Sequence, residues 1–484
     1  MKNWIIVFAI ILTSFWNVKA QNTPPKKVSV VGAARGQFYA DQYIPDGEDS
    51  VTSPKMNSGN VLADLGLKIQ ANPQMEILGM VRIRNDYGGF WGSGVSFDVR
   101  QLYVRGIIGN AVRYQLGDIN YRMTPYTLWN HDQELLSSLP VAFSTQTQAV
   151  NYDHFYNSDH SWRQQGASGN VGFLFAKGIE EIKLNAVTTR MRTSDFSNQS
   201  DRIFVGSNAT IVQSDVLTLG LNYANVVDIL GTSRNLTGYH NPVFTGSLLW
   251  SKVTNLGSWQ GSGEAGISNT YTNGTELPIK NGKFNDWKLK WITKNNHWQW
   301  QVRYHYVNAA FRSPGAQTRR LNPTGQLSAY PRVQNDQGLR PVNMLDMMRE
   351  TGIYNLQLQT DLMSYLPQYD NITPYGDATP NRQSYEISTQ YGHAESWWYG
   401  SVLYYRGRET RGEGTIEPRQ FTRLQLETGW LFNEHTSGWK SQLRISSKFR
   451  KDQTTRASPE YLPQINLTNE MTSLGMEWLF QKKW

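Results

Sequence analysis

The sequence contains no cysteine. That absence excludes disulfide staples, thiolate catalysis and the acylated N-terminus of a lipoprotein. Long apolar runs are missing too. Beyond residue 20 none approaches the roughly 18 residues that a membrane-crossing helix needs, so helical spanning is ruled out. Charge of one sign is only mildly in excess, with 47 Lys and Arg against 39 Asp and Glu, a formal +8. That surplus suits anionic headgroups, peptidoglycan or anionic solutes and is too small to argue for nucleic acid. No phosphate loop, nucleophile elbow, HExxH motif or nucleic-acid module occurs. Catalytic residues, cofactors and metals are therefore not expected.

What is present begins with a three-part leader. Lys2 supplies positive charge, Trp4 to Leu12 form an unbroken apolar run, and Val18-Lys19-Ala20 ends in small residues before Gln21. This is the grammar of a secretory signal peptide, with cleavage expected after Ala20 and residues 21–484 as one mature domain. Loss of Lys2 and Lys19, with no acid, lowers the net charge to +6. The mean hydropathy is negative, yet 17 Trp and 25 Tyr are many for a polar chain. Both facts fit strands in which only every second residue must be apolar.

Period-two alternation is the strongest pattern. In HWQWQVRYHYV, Trp298, Trp300, Val302, Tyr304 and Tyr306 share one face, and Gln299, Gln301, Arg303 and His305 the other. An extended strand separates the two sets; a helix would scatter them. Leu424, Leu426, Trp430 and Phe432 alternate in the same way with Gln425 and Glu427. Leu443, Ile445 and Phe449 alternate with Arg444, Ser446, Lys448 and Arg450, and Ile77, Val81 and Ile83 with Glu76, Arg82 and Arg84. A soluble propeller or sandwich also alternates, but no blade-length repeat is present, and the polar faces carry Arg and Lys in rows. Hydrocarbon on one side and water on the other accounts for both faces.

Strands are expected near 28–42, 59–72, 74–85, 95–108, 111–120, 168–177, 180–191, 202–213, 215–227, 242–252, 259–272, 284–294 and 297–309. Others are expected near 350–361, 384–392, 396–407, 420–433, 438–450 and 470–484. Short connections, such as Asn72-Pro73, Gly109-Asn110 and Asn295-Asn296, alternate with long polar ones, such as 121–167 and 310–349. Nineteen segments are one too many or too few for a closed up-and-down sheet with both ends on one side, so about 18 strands are expected, with 16 and 20 open.

The last strand places Leu474, Met476, Trp478 and Phe480 on one face and stops at Trp484. It resembles the C-terminal assembly signal of Gram-negative outer-membrane proteins, although Lys482 interrupts the apolar register and the final aromatic is Trp rather than Phe. The whole pattern resembles outer-membrane β-barrels in a Bacteroidota-like style. The resemblance implies a single antiparallel transmembrane barrel with long extracellular loops and short periplasmic turns. It also implies insertion by the barrel-assembly machinery from periplasmic chaperones, with outer-membrane lipid and lipopolysaccharide as surroundings.

Two functional classes remain open. One is a porin or channel for small hydrophilic solutes, anionic ones or saccharides among them. The other is a structural subunit of a larger secretion, motility or biogenesis complex, with protein partners and a plugged lumen. Candidate selectivity residues are Arg82, Arg84, Arg303, Arg444, Lys448 and Arg450, all on the polar side of alternating strands. They either focus anions or pair with carboxylates such as Glu76, Glu386 and Glu427 as part of the wall. The segment 310–349, with Arg312, Arg319, Arg320, Arg332, Arg340 and Arg349, is a candidate constriction or partner-binding loop. His131-Asp132, Asp153-His154 and Asp159-His160 set imidazoles beside carboxylates, but neighbours on a strand point oppositely and do not form a dyad.

Overall fold

The computed structural model describes residues 27–42, 55–86, 95–131, 164–192, 200–229, 238–272, 280–318, 376–393, 396–412, 417–436, 439–457 and 465–482, and no helix occurs among them. In chain order the strands begin with β1 (Val28–Gln42), β2 (Lys55–Asn72), β3 (Met75–Asp86), β4 (Val95–Ile108), β5 (Val112–Ile119), β6 (Trp129–His131) and β7 (Gln164–Leu174). There follow β8 (Glu181–Arg192), β9 (Asp201–Ser214), β10 (Leu217–Ile229), β11 (Tyr239–Thr254), β12 (Gly257–Thr272), β13 (Lys280–Thr293), β14 (Trp298–Val307) and β15 (Ala316–Thr318). The last are β16 (Arg382–Tyr391), β17 (Trp398–Arg408), β18 (Gln420–Thr436), β19 (Trp439–Arg456) and β20 (Ile465–Lys482).

Eighteen of these are antiparallel in up-and-down order; β6 and β15 form a separate parallel pair. Eighteen is the number that strand parity favoured. The expected strand at 350–361 lies outside the described residues. β14 pairs directly with β16, from Trp298↔Tyr391 to Val307↔Arg382, so no strand stands between them. Several strands run into segments expected as loops: β2 starts at Lys55, β7 at Gln164, and β19 continues to Arg456. Backbone ladders hold these polar extensions without help from apolar side chains.

The chain divides into two compact units. In the first, β1 to β5 pair each with the next, and the β4–β5 hairpin turns through Gly109 (φ 59°) and Asn110 (φ 58°). Gly and Asn are the residues that tolerate this left-handed backbone at least cost. In the second, β8 to β14 and β16 to β20 pair in sequence order. Polar residues line up from strand to strand there: Lys288↔Arg303, Arg303↔Glu386, Glu386↔Tyr405, Tyr405↔Arg423 and Arg423↔Asp452.

The burial is inverted relative to a water-soluble sheet. Trp300, Val302, Leu289, Ile387, Phe432 and Leu474 are exposed. Meanwhile the four largest fully buried side chains among the described residues are Arg100, Arg312, Arg419 and Arg450. Leaving a large apolar side chain in water forgoes roughly 1.5–3 kcal/mol of burial. A face carrying dozens of such positions needs an apolar medium against it.

Candidate functional site

The site is built in the second unit, on the polar face of β9 to β16, by three connecting segments that fold back onto it. The first follows residue 120 and makes a tight turn, Thr127 N–H to Thr124 O at 3.0 Å. The second follows β14 and the third precedes β16. They are joined to one another: Trp129 N–H donates to Gly315 O at 3.0 Å, Ser313 Oγ donates to Tyr126 O at 2.7 Å, and β6 pairs in parallel with β15. Close seating depends on a missing side chain. A Cβ on Gly282 would stand 2.1 Å from the Phe311 backbone, so only glycine lets the second segment lie flat on β13.

Tyr126 is the anchor of the first segment. Its ring stacks on Phe284 at 3.8 Å, with Phe311 set edge-on to the same phenylalanine at 5.0 Å. Its hydroxyl donates to Asp286 Oδ2 at 2.9 Å. Burial, then the nearby Asp377 and Asp286, push the phenol well above its ordinary range, so it stays a donor. Asp286 also receives the Arg303 guanidinium in two-point contact, Nε to Oδ1 at 2.7 Å and Nη2 to Oδ2 at 2.8 Å. Arg303 Nη2 reaches Asp377 Oδ1 at 2.6 Å, which ties the third segment to the wall. His305 Nε2 lies 2.9 Å from Asp377 O, and Arg382 donates to Gly376 O. Beside this cluster Glu264 Oε1 accepts the Thr124 and Thr245 hydroxyls, each at 2.6 Å.

The expected selectivity residues are mostly paired. Arg82 is buried and forks onto Asp64, both contacts 2.7 Å. Arg444 meets Glu477 at 2.7 Å, Lys448 meets Glu427 at 3.2 Å, and Arg450 meets Asp452 at 2.7 Å. Arg84 is half-buried on β3. Of the carboxylates named from sequence, Glu427 takes the role expected of it. Glu76 pairs instead with Lys68 and Arg105, and Arg303 takes Asp286 and Asp377.

Arg312 of the candidate constriction loop is buried on the polar face. Its N–H donates to Ser268 Oγ at 2.8 Å, and its guanidinium to Ala309 O and Phe311 O. Arg319, Arg320, Arg332, Arg340 and Arg349 lie outside the described residues, as do Asp132, Asp153-His154 and Asp159-His160. His131 is the last residue of β6. In the C-terminal signal, Trp478 is exposed and its Nε1 donates to Ser441 Oγ at 2.9 Å. Phe480 lies in β20, and Trp484 is outside the described residues.

No protein-family model matches the chain, and no curated protein matches it. Among solved structures it is similar to OccK8 (OprE) of Pseudomonas aeruginosa, with 10% identity and a TM-score of 0.49 over 94% of this chain and 99% of that one. OccAB3 of Acinetobacter baumannii gives 8% identity and a TM-score of 0.47 over 94% and 99%. OccK10 (OpdN) of P. aeruginosa gives 10% and 0.46 over 95% and 100%.

Sequence reasoning missed Tyr126, Asp377, Glu264 and Ser313. Alternation places Glu264 and Asp286 on the polar face, but nothing local marks Thr124 as the partner of the first or Tyr126 as that of the second. Its contact with Asp286 closes 160 residues of chain.

Proposed function

We propose that the protein is an outer-membrane β-barrel channel for small hydrophilic solutes, its lumen narrowed by the segments carrying Tyr126, Arg312 and Asp377. One observation carries this reading: apolar side chains are exposed on one face of the strands while arginines and carboxylates are buried on the other. Lipid outside and water inside satisfy both faces at once. Most strands exceed the 9–11 residues needed to cross a bilayer at a tilt. The paired state of Arg82, Arg444, Lys448 and Arg450 supports a wall role for them, and with Arg303 neutralised at the fold-back segments it supports a lumen of weak charge preference. Export by the signal peptide, periplasmic chaperoning and insertion through the C-terminal aromatics Trp478, Phe480 and Trp484 belong to the same proposal, as does contact with lipopolysaccharide.

A second reading, a structural subunit with a plugged lumen, is favoured by how firmly the three segments are tied across the polar face. Purified protein in planar bilayers separates the two. Steady stepwise conductance is expected of the channel; silence together with co-purifying partners in mild detergent supports the subunit. Mature protein that stays monodisperse without detergent and fractionates with soluble periplasmic material sinks both.

A further inference from the structure

Next to the Tyr126 cluster, on the polar face beneath residues 121–124, lies a cavity of ≈ 360 Å³ that none of the roles above uses. It falls within the size range of small-ligand sites. Beside the apolar Met123, Leu219 and Leu249, its lining sets a row of side-chain amides and hydroxyls on successive strands: Asn185 on β8, Asn208 and Thr210 on β9, Asn222 on β10 and Ser247 on β11. The register places them side by side, with Asn185↔Asn208, Asn208↔Asn222 and Asn222↔Thr245 directly opposed.

The row is a directed chain of hydrogen bonds. Asn185 Nδ2 donates to Asn208 Oδ1 at 3.1 Å, Asn208 Nδ2 donates to Asn222 Oδ1, and Asn222 Nδ2 donates to Thr245 Oγ1 at 2.9 Å. Thr245 passes the sequence on to Glu264 Oε1, which also takes the Thr124 hydroxyl. Asn208 Oδ1 also accepts the Thr210 hydroxyl at 3.0 Å, which fills that oxygen; what the row keeps for a ligand is the second N–H of each carboxamide and a lone pair on Asn185 and Asn222. Gly220, on the same face, keeps the floor open: a Cβ there would come 2.3 Å from Ser247 Oγ. At the rim, burial pushes the Tyr121 phenol up to about 12, which leaves a neutral hydroxyl. Arg122 is the charged group of the lining, exposed and lying over the Trp129 ring at 5.3 Å.

From this arrangement we infer that the cavity is a binding subsite for an uncharged polyhydroxylated solute, a mono- or disaccharide. A sugar carries several hydroxyls, each both donor and acceptor, and can bridge amides on successive strands, which stand about 4.7–4.9 Å apart. Against an anion stand the single cation of the lining, Arg122, and the Glu264 carboxyl, which the lining residue Thr124 touches directly at 2.6 Å. The inference rests on the channel reading for the route by which the solute arrives; binding itself does not require conduction.

Saturation-transfer NMR on detergent-solubilised, full-length protein tests it, with maltose as the neutral probe and gluconate as the anionic one. Maltose is expected to titrate to saturation. Asn208→Leu is expected to weaken it about tenfold, the size of losing hydrogen bonds from a desolvated site. Thr210→Val should weaken it less, and Lys290→Gln, on the same face but outside the cavity, should leave it unchanged. Each variant is checked for native heat-modifiable electrophoretic mobility; if Asn208→Leu fails that check, Thr210→Val decides. Absence of maltose saturation, tighter gluconate binding, or a Thr210→Val variant that binds like the parent overturns the subsite. Conductance recorded in parallel keeps the two proposals apart. Binding without conduction removes the channel and keeps the site, and conduction without binding does the reverse.

Discussion

Arg82 and Arg303 have the same sequence address, the polar side of an alternating strand, but different surroundings. Arg82 forks onto Asp64 of the adjacent strand, a contact within the wall. Arg303 divides itself between Asp286 of the adjacent strand and Asp377, which arrives on a connecting segment 74 residues away. Alternation alone makes an arginine part of a wall; it becomes part of a site when another stretch of chain comes to rest on it.

The sharpest way to break this contrast is Arg303→Met. It leaves Asp286 and Asp377 without their shared cation, and losing one partner of a buried pair costs about 3–5 kcal/mol. Urea unfolding in lipid vesicles should report this. The same measurement on Asp64→Asn should show a loss of similar origin without disturbing the segment around residue 377. If limited proteolysis there changes equally in both variants, the distinction between wall and site fails.

A second expected effect contrasts the two faces of one strand. Val302→Arg, on the exposed apolar face, should cost about 2–4 kcal/mol if that face meets hydrocarbon. Gln301→Arg, its neighbour on the polar face, should stay within about 0.5 kcal/mol, as for an ordinary solvated position. Equal costs at the two positions would remove the basis for a membrane-facing side.

Gly282→Val bears on the fold-back segments. The added side chain collides with the Phe311 backbone, so the second segment must lift, and single-channel conductance should rise. An unchanged conductance would mean that this segment does not limit the passage. Smallest of all, Tyr126→Phe keeps the stacking on Phe284 and removes one hydrogen bond to a charged carboxylate, which is worth about 1.5–3 kcal/mol before relaxation. Thermal unfolding should register the lower end of that range.

Much of the frame was legible in the residues. Period two placed Trp298, Trp300 and Val302 opposite Gln299, Gln301 and Arg303, and the structure keeps those faces apart. Gly109 and Asn110 announced their turn by composition. The strand expected at 350–361 lies outside the described residues, and the direct β14–β16 ladder gives the eighteen strands of the sheet without it. The site was far less legible. Turn and strand propensities act over a few residues, whereas Ser313 meets Tyr126 across 187 positions and Thr124 meets Glu264 across 140. Nor does sequence reveal that an inward-facing arginine is neutralised, because the carboxylate that does so is chosen by register.

The small parallel ladder of β6 and β15 has a consequence for the order of events during biogenesis. Trp129 waits for Ala316, and eight strands of the main sheet, β7 to β14, lie between them in the chain. Contacts closing such long loops form late. The cross-tie is therefore set only after those hairpins are in place, so the segments that cover the polar face are the last to be fixed.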